Sequence, residues 1–286
     1  MIACPVCGSQ ALFLRPEVPR DCRELAAKEC SACSHVFLSS FSHIDDAYFD
    51  RGVFLLDKPF IDDVGDRQRH YAHETDERAE RIGSLVVNKR VLDFGCGTGA
   101  LMERLAPLTR SIEGVERTAH FKTWLRQRDF TVHDTIAEVE GEYDVILMFH
   151  VLEHLPDPVA SLREVGDKLA KGGILYLEVP NANDALMTLY DVAEARDFLF
   201  FTDHLQYFTR QSLALTIKSA GLASDGIWGH NRFGLANHLF WLSKGKPGGH
   251  VAWSFLETPS LAREYGRALA AADISDSLTA QIRVEG

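Results

Sequence analysis

The sequence predicts an α/β protein built on a parallel sheet, and three observations carry that prediction. Residues 91–99, Val-Leu-Asp-Phe-Gly-Cys-Gly-Thr-Gly, place a short apolar run with β character before an acid and three alternating glycines. Strand and helix patterns then alternate from residue 89 to 180, as crossovers between parallel strands require. The second strand ends at Glu116, about twenty residues past the glycine loop, where a carboxylate can accept both hydroxyls of a ribose. These features describe a nucleoside-binding sheet.

The elements follow in order. Residues 1–42 carry Cys4-Pro-Val-Cys7 and Cys30-Ser-Ala-Cys33. Two such pairs roughly twenty residues apart are a strong tetrahedral zinc signal. Four thiolates leave no open position, so Zn(2+) on Cys4, Cys7, Cys30 and Cys33 is expected to be structural and to supply folding energy that so short a segment lacks. The stretch looks like a zinc ribbon; Cys22 and Cys96 are not assigned to the metal. Residues 43–88 hold acids and aromatics, Asp45-Asp46-Ala47-Tyr48-Phe49, and then a polar helical pattern from Asp66 to Val87. It reads as a connector or a lid, with Tyr71 as the lid candidate.

The core is expected over 89–245, with strands at Arg90–Phe94, Ser111–Val115, Phe130–His133, Tyr143–Phe149 and Ile174–Val179, and two more at Ala223–Trp228 and Ala236–Ser243. Helices are expected at Ala100–Leu108, Thr118–Arg128, Ser161–Leu169 and Arg210–Ala220. Residues 181–209 form a pocket insertion rich in Leu, Phe and Tyr, and 246–286 a helical extension. Two prolines, Pro156 and Pro158, stop any helix after His150-Val-Leu-Glu153-His154. That excludes the inverted zinc-peptidase reading of the same letters, which needs both histidines on one helical face.

Gly95-x-Gly97-x-x-Ala100 also fits the dinucleotide fingerprint. Asp93 decides between the two, because its carboxylate would repel a pyrophosphate and attract a sulfonium. The stretch therefore resembles motif I of the class I S-adenosylmethionine (SAM) methyltransferases, and HVLEHLPDP resembles the motif after the fourth strand of the ubiquinone-type small-molecule enzymes. The resemblance implies a Rossmann-like seven-stranded core and SAM as cofactor. Asp93, Gly95, Cys96, Gly97, Gly99, Glu116, Asp134, Thr135, His150 and Glu153 would border that cofactor.

Asp203-His204-Leu-Gln-Tyr207-Phe-Thr209 resembles the acid–histidine segment of zinc-ribbon methyltransferases acting on sugar nucleotides. This implies a sugar or related small-molecule acceptor, with His204 oriented by Asp203 as general base and His150 or His154 behind it. Sugar C-methyltransferases continue into a long carboxy-terminal domain that does not follow here, which argues against C-methylation in particular.

At 286 residues, 46% hydrophobic and 25% charged, the composition is that of a globular protein. A net charge of −11 weighs against a nucleic-acid footprint, and with it against the other enzyme reading, a ribosomal-RNA base methyltransferase with a zinc module. A non-catalytic SAM-binding protein and an NAD oxidoreductase rank lower. No apolar run spans a bilayer, and Met-Ile-Ala-Cys-Pro opens no secretory signal. A cytoplasmic protein without membrane or nucleic-acid partners is the expectation, its oligomeric state open.

Overall fold

The computed structural model describes residues 2–44, 48 and 63–284. Most of the acid-and-aromatic stretch after residue 44 and the first part of the expected lid lie outside the described residues.

The amino-terminal strands β1 (Leu12–Leu14), β2 (Ala27–Cys30) and β3 (Val36–Leu38) form an antiparallel meander. The expected single helix before the core is two, α1 (Val64–His70) and α2 (Ala72–Val86), broken at Tyr71. The core then alternates: β4 (Arg90–Phe94), α3 (Ala100–Leu105), β5 (Ser111–Val115), α4 (Ala119–Arg126), β6 (Val132–His133), β7 (Tyr143–Phe149), α5 (Pro158–Gly166) and β8 (Leu169–Pro180). Two short helices, α6 (Ala185–Thr188) and α7 (Ala193–Leu199), lead to β9 (Gln206–Tyr207), α8 (Arg210–Ser219) and β10 (Leu222–His230). Helices α9 (Leu235–Lys244), α10 (Gly249–Ala252) and α11 (Pro259–Ala271) precede the last strand, β11 (Ser277–Val284).

The large sheet has seven strands in the order β10-β11-β8-β7-β4-β5-β6, and β11 runs antiparallel to both its neighbours. Alternation along the central strands sorts the two faces. Val91, Val145 and Leu147 pack on one side against Ile82 and Val86 of α2. Leu92, Ile146 and Met148 face Leu162 and Val165 of α5 and Leu213 and Ile217 of α8. Each fully buried side chain of this kind contributes roughly 1.5–3 kcal/mol, which is why the strands read as apolar runs.

Three expectations are corrected. Ala236–Ser243 is helix α9, because Asn237, His238 and Trp241 make a buried helical face and Gly245, at φ 61°, closes it in the left-handed conformation. The seventh strand is Ser277–Val284, inside the segment expected to be a helical extension. The helix expected at Ser161–Leu169 starts earlier, because Pro158 fits the first helical position and the Asp157 carboxylate accepts from the Ala160 amide at 2.9 Å. Among the described residues no helix is long and apolar enough to cross a membrane.

Candidate cofactor and acceptor site

The strand order reverses beside β4, and at such a switch point open α/β sheets bind their ligands in a crevice over the carboxyl ends of the strands. Residues 94–99 line one side of it. The Gly95 and Cys96 amides donate to the Val115 carbonyl at 2.8 and 3.1 Å, tying the loop to the end of β5. Gly97 has a φ of 54°, and a Cβ built on it would meet nothing within 4 Å, so this backbone faces open space. A Cβ on Gly95, at φ 79°, would instead come within 2.3 Å of Val151. The loops after β4 and β7 touch there and could not accept a side chain.

Of the two acids expected at the strand ends, Glu116 holds this loop directly. Glu116 accepts from the Gly97 amide at 2.9 Å and from the Thr118 amide at 2.7 Å, fixing the turn in which the Gly97 amide sits. Asp93 is 4% exposed. Burial pushes its carboxyl up to about 7, with the Arg78 charge opposing and the Glu116 charge adding. Cys96 is buried against Gly114, where a Cβ would lie 2.6 Å from its sulfur. The two residues expected at the adenine lie at the sheet edge. Asp134 is held by Lys122 at 2.6 Å and Arg126 at 3.4 Å from α4, and Thr135 is exposed and begins a short turn.

The other side of the crevice is built by the residues after β7. His150 takes a φ of 53°, rare without glycine, and turns the chain sharply off the strand. Its Nδ1 lies 3.1 Å from Glu153 Oε1 and its Nε2 3.0 Å from Glu178 Oε1. Burial and the Arg232 charge would lower its pKa, but the two carboxylate hydrogen bonds outweigh them and raise it. For Glu153, burial would raise the pKa, yet the His150 hydrogen bond and the histidines around it bring it down to about 2. Glu178 carries Arg78 at 2.9 Å and Arg81 as well, and stays well below the ordinary carboxylate range. Arg232, 3.2 Å from Glu74, reaches His150 Nε2 at 3.3 Å.

His154 and His204 stand edge to face with ring centroids 5.0 Å apart. His154 Nδ1 donates to the Asp203 carbonyl at 2.7 Å. Burial and the nearby His154 hold the His204 pKa well below its ordinary value, so the ring is neutral. The expected orienting pair is corrected here. The Asp203 carboxylate accepts from the Tyr48 hydroxyl, and the carboxylate set beside His204 is Glu153, 4.0 Å from Nε2. Glu153 Oε2 is buried without a hydrogen-bond partner. Donor atoms of Glu153, His154 and His204 lie within 4.8 Å of one another. His150 already occupies Glu153 Oε1, so the arrangement suits proton sharing.

The sequence reading singles out His150, Glu153, His154 and His204 separately, and in the structure these fall into one cluster. It misses Glu178, Arg232 and Glu74, which complete the cluster's charge balance. Glu178 left a signal, a lone acid inside the apolar strand Leu175-Tyr-Leu-Glu-Val179. Arg232 left none, because only the turn after β10 brings it there.

At the amino terminus the four predicted cysteines converge. Cys4 and Cys33 sulfurs are 3.6 Å apart, Cys7 and Cys30 sulfurs 3.5 Å, and all four lie within 4.8 Å of one another. Sulfurs bound at about 2.3 Å to one tetrahedral ion lie about 3.8 Å apart. The donor set fits zinc.

Strand order, glycine loop and acidic strand ends define a class I, Rossmann-like methyltransferase fold. The methyltransferase-domain family matches residues 65–225, and the chain belongs to that family. Over 155 residues it is 32% identical to the ubiquinone biosynthesis O-methyltransferase of Xanthomonas euvesicatoria pv. vesicatoria, covering 49% of this chain and 65% of that one. The match thus spans less than two thirds of the relative's length. Among solved structures, a chain from the complex of the Haloferax volcanii Trm112 methyltransferase activator with a methyltransferase superposes with a TM-score of 0.52 at 15% identity, covering 84% of this chain and 97% of that chain. A SAM-dependent methyltransferase from Thermotoga maritima gives 0.50 at 18% identity, covering 83% and 98%. At these identities the superpositions speak for the fold alone.

Proposed function

We propose that the chain transfers a methyl group from SAM to a hydroxyl of a small-molecule acceptor, a sugar or glycan precursor by the resemblance of residues 203–209. The observation that carries the reading is the pairing across one crevice of an acid-ended glycine loop with a buried Glu–His–His cluster. SAM brings an already activated methyl group, so the protein's work is to hold donor and acceptor in line and to exclude water. Asp93 faces the sulfonium end and Glu116 the ribose. His204 Nε2 takes the acceptor's hydroxyl proton, and the Glu153 carboxylate stabilises the imidazolium that results. Phe201, with its ring 4.1 Å from that of His204, helps keep the cluster dry. Calorimetry with SAM, followed by turnover on a panel of sugar nucleotides and phenolic metabolites, tests the reading. Failure to bind SAM under any condition would end it.

Zinc on Cys4, Cys7, Cys30 and Cys33 belongs to the same proposal. Metal analysis is expected to find about one zinc per chain, lost with loss of folding of the ribbon when Cys30 and Cys33 become serine. A folded, metal-free protein would remove the assignment. About two per chain, with one surviving those substitutions, would place a second ion on Glu153, His154 and His204.

A further inference from the structure

The ribbon is not an appendage. Strand β9, which carries Gln206 and Tyr207 just after His204, pairs with β3 as the fourth strand of the ribbon's own sheet, Val36 opposite Tyr207 and Phe37 opposite Gln206. The Leu38 amide donates to the Leu205 carbonyl at 3.0 Å. On its other edge the same strip is held by the loop after β7, where the Leu205 amide donates to the Glu153 carbonyl at 2.8 Å. The segment bearing His204 therefore lies between the ribbon and the loop that supplies Glu153 and His154.

One side chain bridges the two. Gln206 is fully buried, and its Nε2 donates to the Leu155 carbonyl at 3.0 Å and the Pro156 carbonyl at 3.3 Å. Those two acceptors fix the amide's orientation, so Oε1 is the atom that accepts from His35 Nε2 at 2.8 Å. His35 stands two residues beyond Cys33, fully buried, with its ring 5.0 Å from that of Phe208. Its main-chain carbonyl accepts from the Cys30 amide at 2.9 Å, which makes it part of the second knuckle. The path from the cysteine cluster to the acceptor side of the crevice is thus continuous: knuckle, His35, Gln206, the 153–156 loop. Among the described residues, no hydrogen bond or ion pair joins His35, Gln206 or residues 153–156 to the 94–99 loop.

We propose that the zinc ribbon positions the acceptor side of the site through His35 and Gln206, and leaves the cofactor side alone. The proposal rests on His204 being the acceptor-side residue. Gln206 and His35 are positioning residues, since they act through the strip that carries His204 and through the loop that carries Glu153 and His154.

The test uses the full chain and needs no acceptor. Gln206→Leu and His35→Phe remove the bridge while keeping bulk, and His35→Gln restores an N–H toward Oε1. Hydrogen exchange read by mass spectrometry is expected to rise about tenfold in peptides covering 153–156 and 203–207 and to stay unchanged over 94–99. Carbethoxylation of His204 should quicken by a similar factor of about ten, while zinc content and SAM affinity hold within about twofold. His35→Gln should return both readouts toward wild type. If a variant does not fold, zinc stripped from the wild-type chain with a thiol mercurial and a chelator is followed through the same peptides. Exchange confined to residues 2–38, or spread equally into 94–99, overturns the proposal, as does unchanged His204 reactivity. Loss of SAM binding in the wild-type chain would instead strike the proposed activity, and the exchange pattern would still decide this inference.

Discussion

Asp93→Asn is expected to weaken SAM binding by about 2 kcal/mol, roughly thirtyfold in Kd, and to remove most of its pH dependence. The sign follows from the burial of Asp93. Buried Asp93 titrates at about 7, with Arg78 from α2 and Glu116 from the end of β5 as the charges that act on it. A sulfonium arriving beside it favours the carboxylate, so binding below that pH expels a proton. Affinity should therefore climb by up to about tenfold per pH unit on the way to neutrality and level off above it. The ligand-free chain should respond in the opposite sense. An acid whose folded pKa lies above its unfolded value costs stability as pH rises between the two, because only the unfolded state ionises freely there. Asp93→Asn should then raise the melting temperature of the ligand-free protein at neutral pH while it impairs binding. Calorimetry at about pH 5.5 and about pH 7.5, in buffers of different ionisation enthalpy, checks the proton count. A wild-type affinity that is flat with pH, or a variant that binds as tightly, would take Asp93 out of the cofactor site.

What could be read from the letters alone divides along a physical line. The glycine loop, the acids at the two strand ends and the central apolar strands were legible because each is set by local chemistry. Positive φ needs glycine, and strands covered on both faces need apolar runs. The cysteine pairs were legible because zinc dictates their spacing. The seventh strand was not. Ser277–Val284 pairs with one strand about fifty residues away and another about a hundred residues away, and nothing nearby announces such a pairing. Leu235–Lys244 misled because its apolar residues suit either period and only Gly245 decides. The acid beside His204 failed for a related reason. Asp203 is its neighbour in sequence, but the turn carries that carboxylate to Tyr48, and Glu153 comes from a different loop.

His204→Ala is expected to lower turnover about a hundred- to ten-thousandfold, with the acceptor that the panel identifies, while SAM affinity stays within about twofold. The separation is demanded by the geometry. His204 shares its surroundings with His154, Glu153, His150 and Arg232, and none of these belongs to the 94–99 loop. Burial and the neighbouring imidazole keep the ring neutral well below its ordinary 6.5, so the base is ready across the physiological range. The acid limb of the rate profile should accordingly fall below that value. Glu153→Gln tests the partner. With the carboxylate gone, the imidazolium formed by proton transfer loses its nearest counter-charge, and turnover should drop. Added imidazole should restore part of the rate to His204→Ala and none to Glu153→Gln, since only the first leaves a cavity the size of the missing ring. A His204→Ala enzyme working at full rate would mean that the acceptor arrives already deprotonated, or is methylated at an atom that needs no base.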